Sequence, residues 1–304
     1  MQVEQVKQTK GIGQMDVLPA APDKLNPGSA PRPVRAISVT GGKGGIGKSS
    51  VAINLALSLI DTGQSVMLMD ADLGLANIDV MLGLDARYDI SHVLSGERSL
   101  SEVLLEGPGG LRIVPASSGI SRMAALSQTE QAGLIHAFSE LEEVPDVFIV
   151  DTAAGIGQSV CNFCAATQEV VIVLCDEPAA ITDAYALIKL LWREYGLKEF
   201  HVLANMSNSH EEGRELFNKL ERVASRYLEV NLNYFGVVPF DQSMRQASLR
   251  QVTATQQFPN SPAALAFRQL AQTVNNWPRR EGDSATRLEF FLERVLMSNQ
   301  RFVG

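Results

Sequence analysis

The chain has 304 residues, 45% of them hydrophobic and 20% charged, which is enough apolar material for one large α/β core or two modest ones and excludes a disordered or fibrous protein. Lys and Arg total 26 against 34 Asp and Glu, a net charge of −8, so a broad nucleic-acid footprint is excluded unless a local basic patch supplies it. No apolar run reaches the roughly 18 residues of a membrane span, and residues 1 to 20 lack the charged start and apolar middle of a secretory signal, so a cytoplasmic protein is expected.

Residues 1–33 are rich in Gln, Pro, Gly and Ser, end in APDKLNPGSAPRP, and read as a flexible tail with at most one short helix near VEQVKQTK. The body, 34–278, begins at Val34. Apolar runs there alternate with amphipathic stretches: VRAISV, VAINLALSLID, SVMLMD, LRIVPA, DVFIVD, EVVIVLCD, FHVLANM and YFGVVPF. Short runs that are apolar on both faces and separated by helical stretches predict a doubly wound, mostly parallel sheet of about seven or eight strands with helices on both faces. Residues 279–304 read as a linker, RREGDSATR, and a last amphipathic helix.

The stretch TGGKGGIGKSS follows the first strand and precedes a helical run, and Gly42 to Ser49 fit the phosphate-loop pattern. Its glycines, Gly42, Gly44, Gly45 and Gly47, let backbone N–H groups of the loop, including those of Ile46 and Ser50, turn toward phosphates. Lys48 is expected to reach the β- and γ-phosphates, and Ser49 to ligate Mg²⁺. Farther on, VFIVD ends an apolar strand at Asp151, where a carboxylate is expected to hold Mg²⁺ through water, with the Gly155 backbone nearby as a γ-phosphate sensor.

The second lysine, Lys43, has no place in a generic phosphate loop. The run Gly-Lys-Gly-Gly-x-Gly-Lys-Ser resembles the deviant Walker A motif of the MinD/ParA ATPases, and the resemblance extends over about residues 34–278. It implies a MinD-like P-loop fold, ATP and Mg²⁺ as ligands, and an ATP-dependent homodimer in which Lys43 contacts phosphate across the interface, offsetting charge that develops there. The stretch Met69-Asp70-Ala71-Asp72-Leu73-Gly74-Leu75-Ala76-Asn77-Ile78-Asp79 is similar to the family's first switch, with Asp72 aligned to the carboxylate that positions attacking water near the metal. Asp70 reads either as support for metal-bound water or the loop, or as a strand cap. Asn205, and the turn Pro239, Phe240 and Asp241, match positions where family members contact adenine; an Asn offers the donor and acceptor an adenine edge requires.

Within the family, DEPAAITDAYALIK, Leu126-Ser127 with Gln131 to Ile135, DTAAGIG and LEFFLERV are similar to the flagellar-number regulators of the FleN/FlhG branch. That resemblance implies a partner, an AAA+ enhancer-binding activator of flagellar genes (FleQ-type), restrained by the ATP-loaded dimer. A second partner in the branch is the placement GTPase FlhF, stimulated through an N-terminal D-Q-A-x-x-L-R helix. Here the nearest match is Glu4 to Lys10, EQVKQTK, without the leucine or the arginine, and a plain tail is the preferred reading. The alternative to the flagellar role is spatial positioning of the MinD or ParA kind, at membrane or nucleoid.

In the final helix Leu288, Phe291, Leu292, Val295 and Leu296 make one apolar stripe, with Phe290 and Met297 opposite. Such a stripe suits peripheral membrane contact or docking on the protein's own body, and both readings stand at this point. Cys161 and Cys164 lie at helical spacing near the place where a related iron protein holds an iron–sulfur cluster between subunits, yet such a pair reads first as helix packing.

Overall fold

The strand-like runs become strands because each is apolar on both sides and finds a layer on each side to bury it. In the computed structural model, which describes residues 33–72, 77–115, 128–278 and 288–300, β2 (Val66–Ala71) and β5 (Val147–Thr152) are buried at every position. With β1 (Arg35–Thr40), β6 (Glu169–Leu174), β7 (Glu199–Ser207) and β8 (Asn231–Pro239), they run parallel. The short β4 (Arg112–Val114) extends the sheet in parallel, and β3 (Leu105–Glu106) closes that edge antiparallel. The order is β3-β4-β2-β5-β1-β6-β7-β8, eight strands among the described residues, as the run count predicts.

Helices cover both faces. On one lie α1 (Lys48–Ile60) and α11 (Pro262–Asn276); α5 (Gln128–Ser139) and α6 (Gln158–Ala166) lie toward the other, followed along the chain by α7 (Pro178–Tyr195) and α8 (His210–Tyr227). Smaller helices fill the turns: α2 (Ile78–Leu82), α3 (Ile90–Leu94), α4 (Leu100–Val103), α9 (Gln242–Leu249) and α10 (Ala254–Gln257). The main core gathers alternate strand residues such as Ile37, Val39, Leu68 and Ile149; the other faces of the same strands, Ala36, Met67, Met69, Phe148 and Val150, form a second core. This period-two division follows from the strand pleat.

The second core is completed by α12 (Leu288–Gln300). Leu288, Phe291, Leu292, Val295 and Leu296 are all buried in it, and the Phe291 ring lies 5.0 Å from Phe148 and 6.3 Å from Phe163. Of the two readings of the stripe, this structure realises docking; Met297 stands 64% exposed on the other side. Backbone contacts divide the chain at Arg32, and the tail expected over 1–33 lies, up to that residue, outside the described residues, as do Leu73 to Ala76, residues 116–127 and the linker 279–287.

Candidate active site

A parallel sheet delivers all its strand C-termini to one edge, and the candidate residues come from those ends. The loop after β1 turns through Gly45 and Gly47, at φ 80° and 85°, a left-handed conformation that glycine adopts without the steric cost of a Cβ. Gly47 then serves as the N-cap of α1 with no side-chain cap, leaving the first N–H groups of the helix directed at the loop. Neighbouring elements hold the loop from three sides. Asn205, at the end of β7, donates from Nδ2 to the Ile46 carbonyl at 2.8 Å, and the Gly155 N–H donates to the Gly41 carbonyl at 3.1 Å. Gly42 lies against α7 so closely that a Cβ there would sit 2.3 Å from the Asp183 carbonyl carbon.

The charged groups converge at the same place. Lys48 is buried, with Nζ 3.4 Å from the Lys43 carbonyl oxygen; burial lowers its pKa while the charges of Asp151 and Asp72 act in the opposite direction. Asp151 is pushed up to about 7, chiefly by burial and further by the charge of Asp70, against a hydrogen bond from Ser49 and the attraction of Lys48. Its Oδ1 is buried with no hydrogen-bond partner. Asp70, raised by burial, accepts from the N–H groups of Asp72 (3.1 Å), Asn77 (2.9 Å) and Ile78 (3.2 Å). These bonds support the loop: Asp70 ties together both ends of the switch segment.

Lys43 forms an ion pair with Glu177, which raises the lysine pKa, first through their hydrogen bond. Glu177 precedes the helix-starting Pro178, and nothing in local spacing marks it as the lysine's partner; only the sheet order, which sets β6 beside β1, brings the two together. In the adenine-matching set, Asp241 also has a structural role. Its Oδ1 accepts from Ser243 N at 2.8 Å and its Oδ2 from Ala263 N at 3.0 Å, so one carboxylate serves the first turns of α9 and α11. Although partial burial opposes it, these bonds hold the group below its usual value. Phe240 is 64% exposed beside it.

These residues fit a nucleoside triphosphate with a divalent cation. The glycine cradle and the helix start suit phosphate, and an orphaned buried carboxylate oxygen beside a serine hydroxyl suits a metal-bound water. Among the described residues no three His, Cys, Asp or Glu side chains form a metal site of their own. Bound there, MgATP would supply a transferable phosphoryl group whose charge Lys48 and the helix start are placed to balance. Cys161 and Cys164 face the main core, fully buried, with their thiols pushed up by burial to about 11 and about 12; they pack as small hydrophobes.

The AAA domain family matches residues 34–195. The antiactivator FleN of Pseudomonas aeruginosa is 54% identical over 264 residues, 87% of this chain and 94% of that protein. The flagellum site-determining protein YlxH of Helicobacter pylori is 39% identical over 210 residues, 66% of this chain and 68% of that one. Among solved structures, the MinC:MinD cell division complex of Aquifex aeolicus has a chain that superposes with a TM-score of 0.63 at 23% identity, covering 82% of this chain and 99% of that one. MinD of Pyrococcus horikoshii, complexed with Mg-ADP, gives 0.61 at 23% identity, covering 80% and 96%. The two structural likenesses establish the fold, the two sequence relatives the branch: the chain belongs to the MinD/ParA-type P-loop ATPases, among the FleN/FlhG proteins.

Proposed function

We propose that this chain is an ATP-dependent, dimerising switch that limits flagellar number by binding and restraining an AAA+ enhancer-binding activator of flagellar transcription, of the FleQ type. The observation that carries the reading is 54% identity across 94% of a protein named an antiactivator. In this reading Ser49, with Asp151 and Asp72, holds Mg²⁺, Lys48 binds the β- and γ-phosphates, and Asp72 orients the attacking water. Asn205 and the turn Pro239 to Asp241 flank the base. Lys43 leaves Glu177 on dimerisation and reaches the partner's phosphates, and slow hydrolysis ends the bound state. Spatial positioning is the second reading, supported by the MinD relatives and by the name of the Helicobacter protein. A nucleoid-bound form of it has little support from a net charge of −8. A membrane-bound form would draw α12 away from the core it now completes, although no helix among the described residues is itself long and apolar enough to cross a bilayer.

The test is a count of flagella per cell by electron microscopy in a strain lacking the gene and in one carrying only Lys48→Ala. Supernumerary flagella in both are expected. Normal counts in both would defeat the flagellar reading while leaving the ATPase assignment in place.

A further inference from the structure

The segment 250–255, which joins α9 to α10 and includes the first two residues of α10, is bonded to two elements that bear the candidate active site. At one end Gln251 donates from Nε2 to the Val80 carbonyl of α2 at 2.9 Å. At the other, the N–H and hydroxyl of Thr255 both donate to Asn54 Oδ1 at 3.3 Å, and Asn54 donates from Nδ2 to the Ser50 carbonyl at 2.8 Å. Asn54 and Ser50 belong to α1, whose first residues are Lys48 and Ser49; α2 follows directly on the switch segment that begins at Asp72. One short segment therefore spans the phosphate loop's helix and the switch helix.

Three features indicate that the Gln251 contact is built rather than incidental. Gln251 has φ 54°, a left-handed backbone at the end of a helix, where glycine is the ordinary residue. Gln251 thus carries a side chain where glycine would relieve the backbone. Gly83, which ends α2 at φ 64°, makes the room: a Cβ there would stand 3.3 Å from the Gln251 Cβ and 3.5 Å from its Oε1. Finally, α2 is fastened at its other end by Asp70, through the N–H groups of Asn77 and Ile78. A five-residue helix has little stability of its own; Ile78 and Leu82 hold it to the main core, and these two attachments fix its ends.

We propose that Gln251 is a positioning residue for ATP hydrolysis: by clamping α2 at Val80 it steadies the Asp70 carboxylate, which accepts from Asn77 and Ile78 of that helix start and from Asp72, and so fixes Asp72 relative to Lys48 and Ser49. The proposal rests on the ATPase reading above. It adds a route by which the turn at Pro239 to Asp241, which leads into α9 and on to Gln251, is mechanically joined to the switch, because the same chain segment carries both.

The test uses the full-length chain and two substitutions. Gln251→Gly removes the clamp while relieving the left-handed backbone, and Gln251→Glu keeps the size but replaces the donor with an acceptor facing a carbonyl. Without nucleotide, hydrogen exchange at amides 77–84 is expected to quicken about tenfold in both, with the Tm of the glycine variant at or above the parent's. Exchange at the parental rate would overturn the clamp. With ATP, kcat is expected to fall about tenfold while nucleotide affinity stays within about twofold, the split that displacement of a positioned carboxylate produces. Parental kcat in both variants, or a loss confined to affinity, would overturn the link to Asp72. The parent and Lys48→Ala are measured alongside: a parent that does not turn over ATP defeats the ATPase reading, and the exchange data still decide the clamp.

Discussion

At the scale of single residues the site is made by burial set against charge. Asp151, Asp70 and Lys48 are all taken out of water, and each has its pKa displaced toward the neutral form by that burial, the state in which a buried group costs least. A bound cation and phosphates would reverse this balance by giving the ionised forms partners. The loop itself depends on close approach. In Gly42→Ala the new Cβ would meet Asp183 backbone and side-chain atoms at 2.3 to 2.5 Å, and α7 cannot yield easily because Ala184 and Leu187 anchor it in the core. This variant is expected to lose about 1–3 kcal/mol of stability and at least about tenfold in ATP affinity. Calorimetry and titration with a fluorescent nucleotide check both. Gly44→Ala, whose Cβ would stand 3.9 Å from Ala154, is expected to keep the parent's Tm.

Among the elements, α12 changes most between sequence and structure. An apolar stripe on an isolated helix suits lipid and protein equally. Here it fills the second core beneath Phe148 and Phe163, where each fully buried side chain contributes about 1.5–3 kcal/mol. Leaving this site would expose Met67, Met69 and both phenylalanines at once, so a membrane-bound form needs some other surface to cover them. Phe291→Ala is expected to destabilise the free protein by about 3–5 kcal/mol, read from urea unfolding. A loss under about 1 kcal/mol would mean that the helix spends most of its time off the body.

For the whole molecule the governing fact is the polarity of the sheet. Because the central strands are parallel, Thr40, Ala71, Thr152 and Ser207 end at one edge, and the phosphate loop, the switch segment, the Gly155 loop and the Asn205 contact meet there without any long excursion of the chain. A dimer formed across that edge would place Lys43 of each subunit near the other's phosphates. For Asp72→Ala, light scattering is expected to show an ATP-dependent dimer that persists, with turnover at least about tenfold below the parent's. Turnover at the parental rate would remove Asp72 from hydrolysis, and a monomer in both nucleotide states would remove the dimer.

Sequence alone determined the layered α/β fold and the phosphate loop, because both are written locally. Runs apolar on both faces can be satisfied only inside a covered parallel sheet, and a strand, a glycine-rich turn and a helix start lie within a few residues of one another. It also marked Asp151 as the end of an apolar run, while the switch with Asp72 came from the family resemblance. Tertiary structure decided what depends on residues far apart in the chain. That Asp241 also holds two helix starts is seen only once α9 and α11 meet at its oxygens, and Glu177 is not marked as the lysine's partner until β6 lies beside β1 and sets it against Lys43. Gln251 is one more glutamine in a polar stretch until its left-handed backbone and Val80 meet. For α12, periodicity fixed which face was apolar, while its partner was fixed only by the second core, whose members come from strands and helices spread along the chain. Local pattern sets an element's type and its faces; which surfaces those faces meet is a property of the assembled sheet.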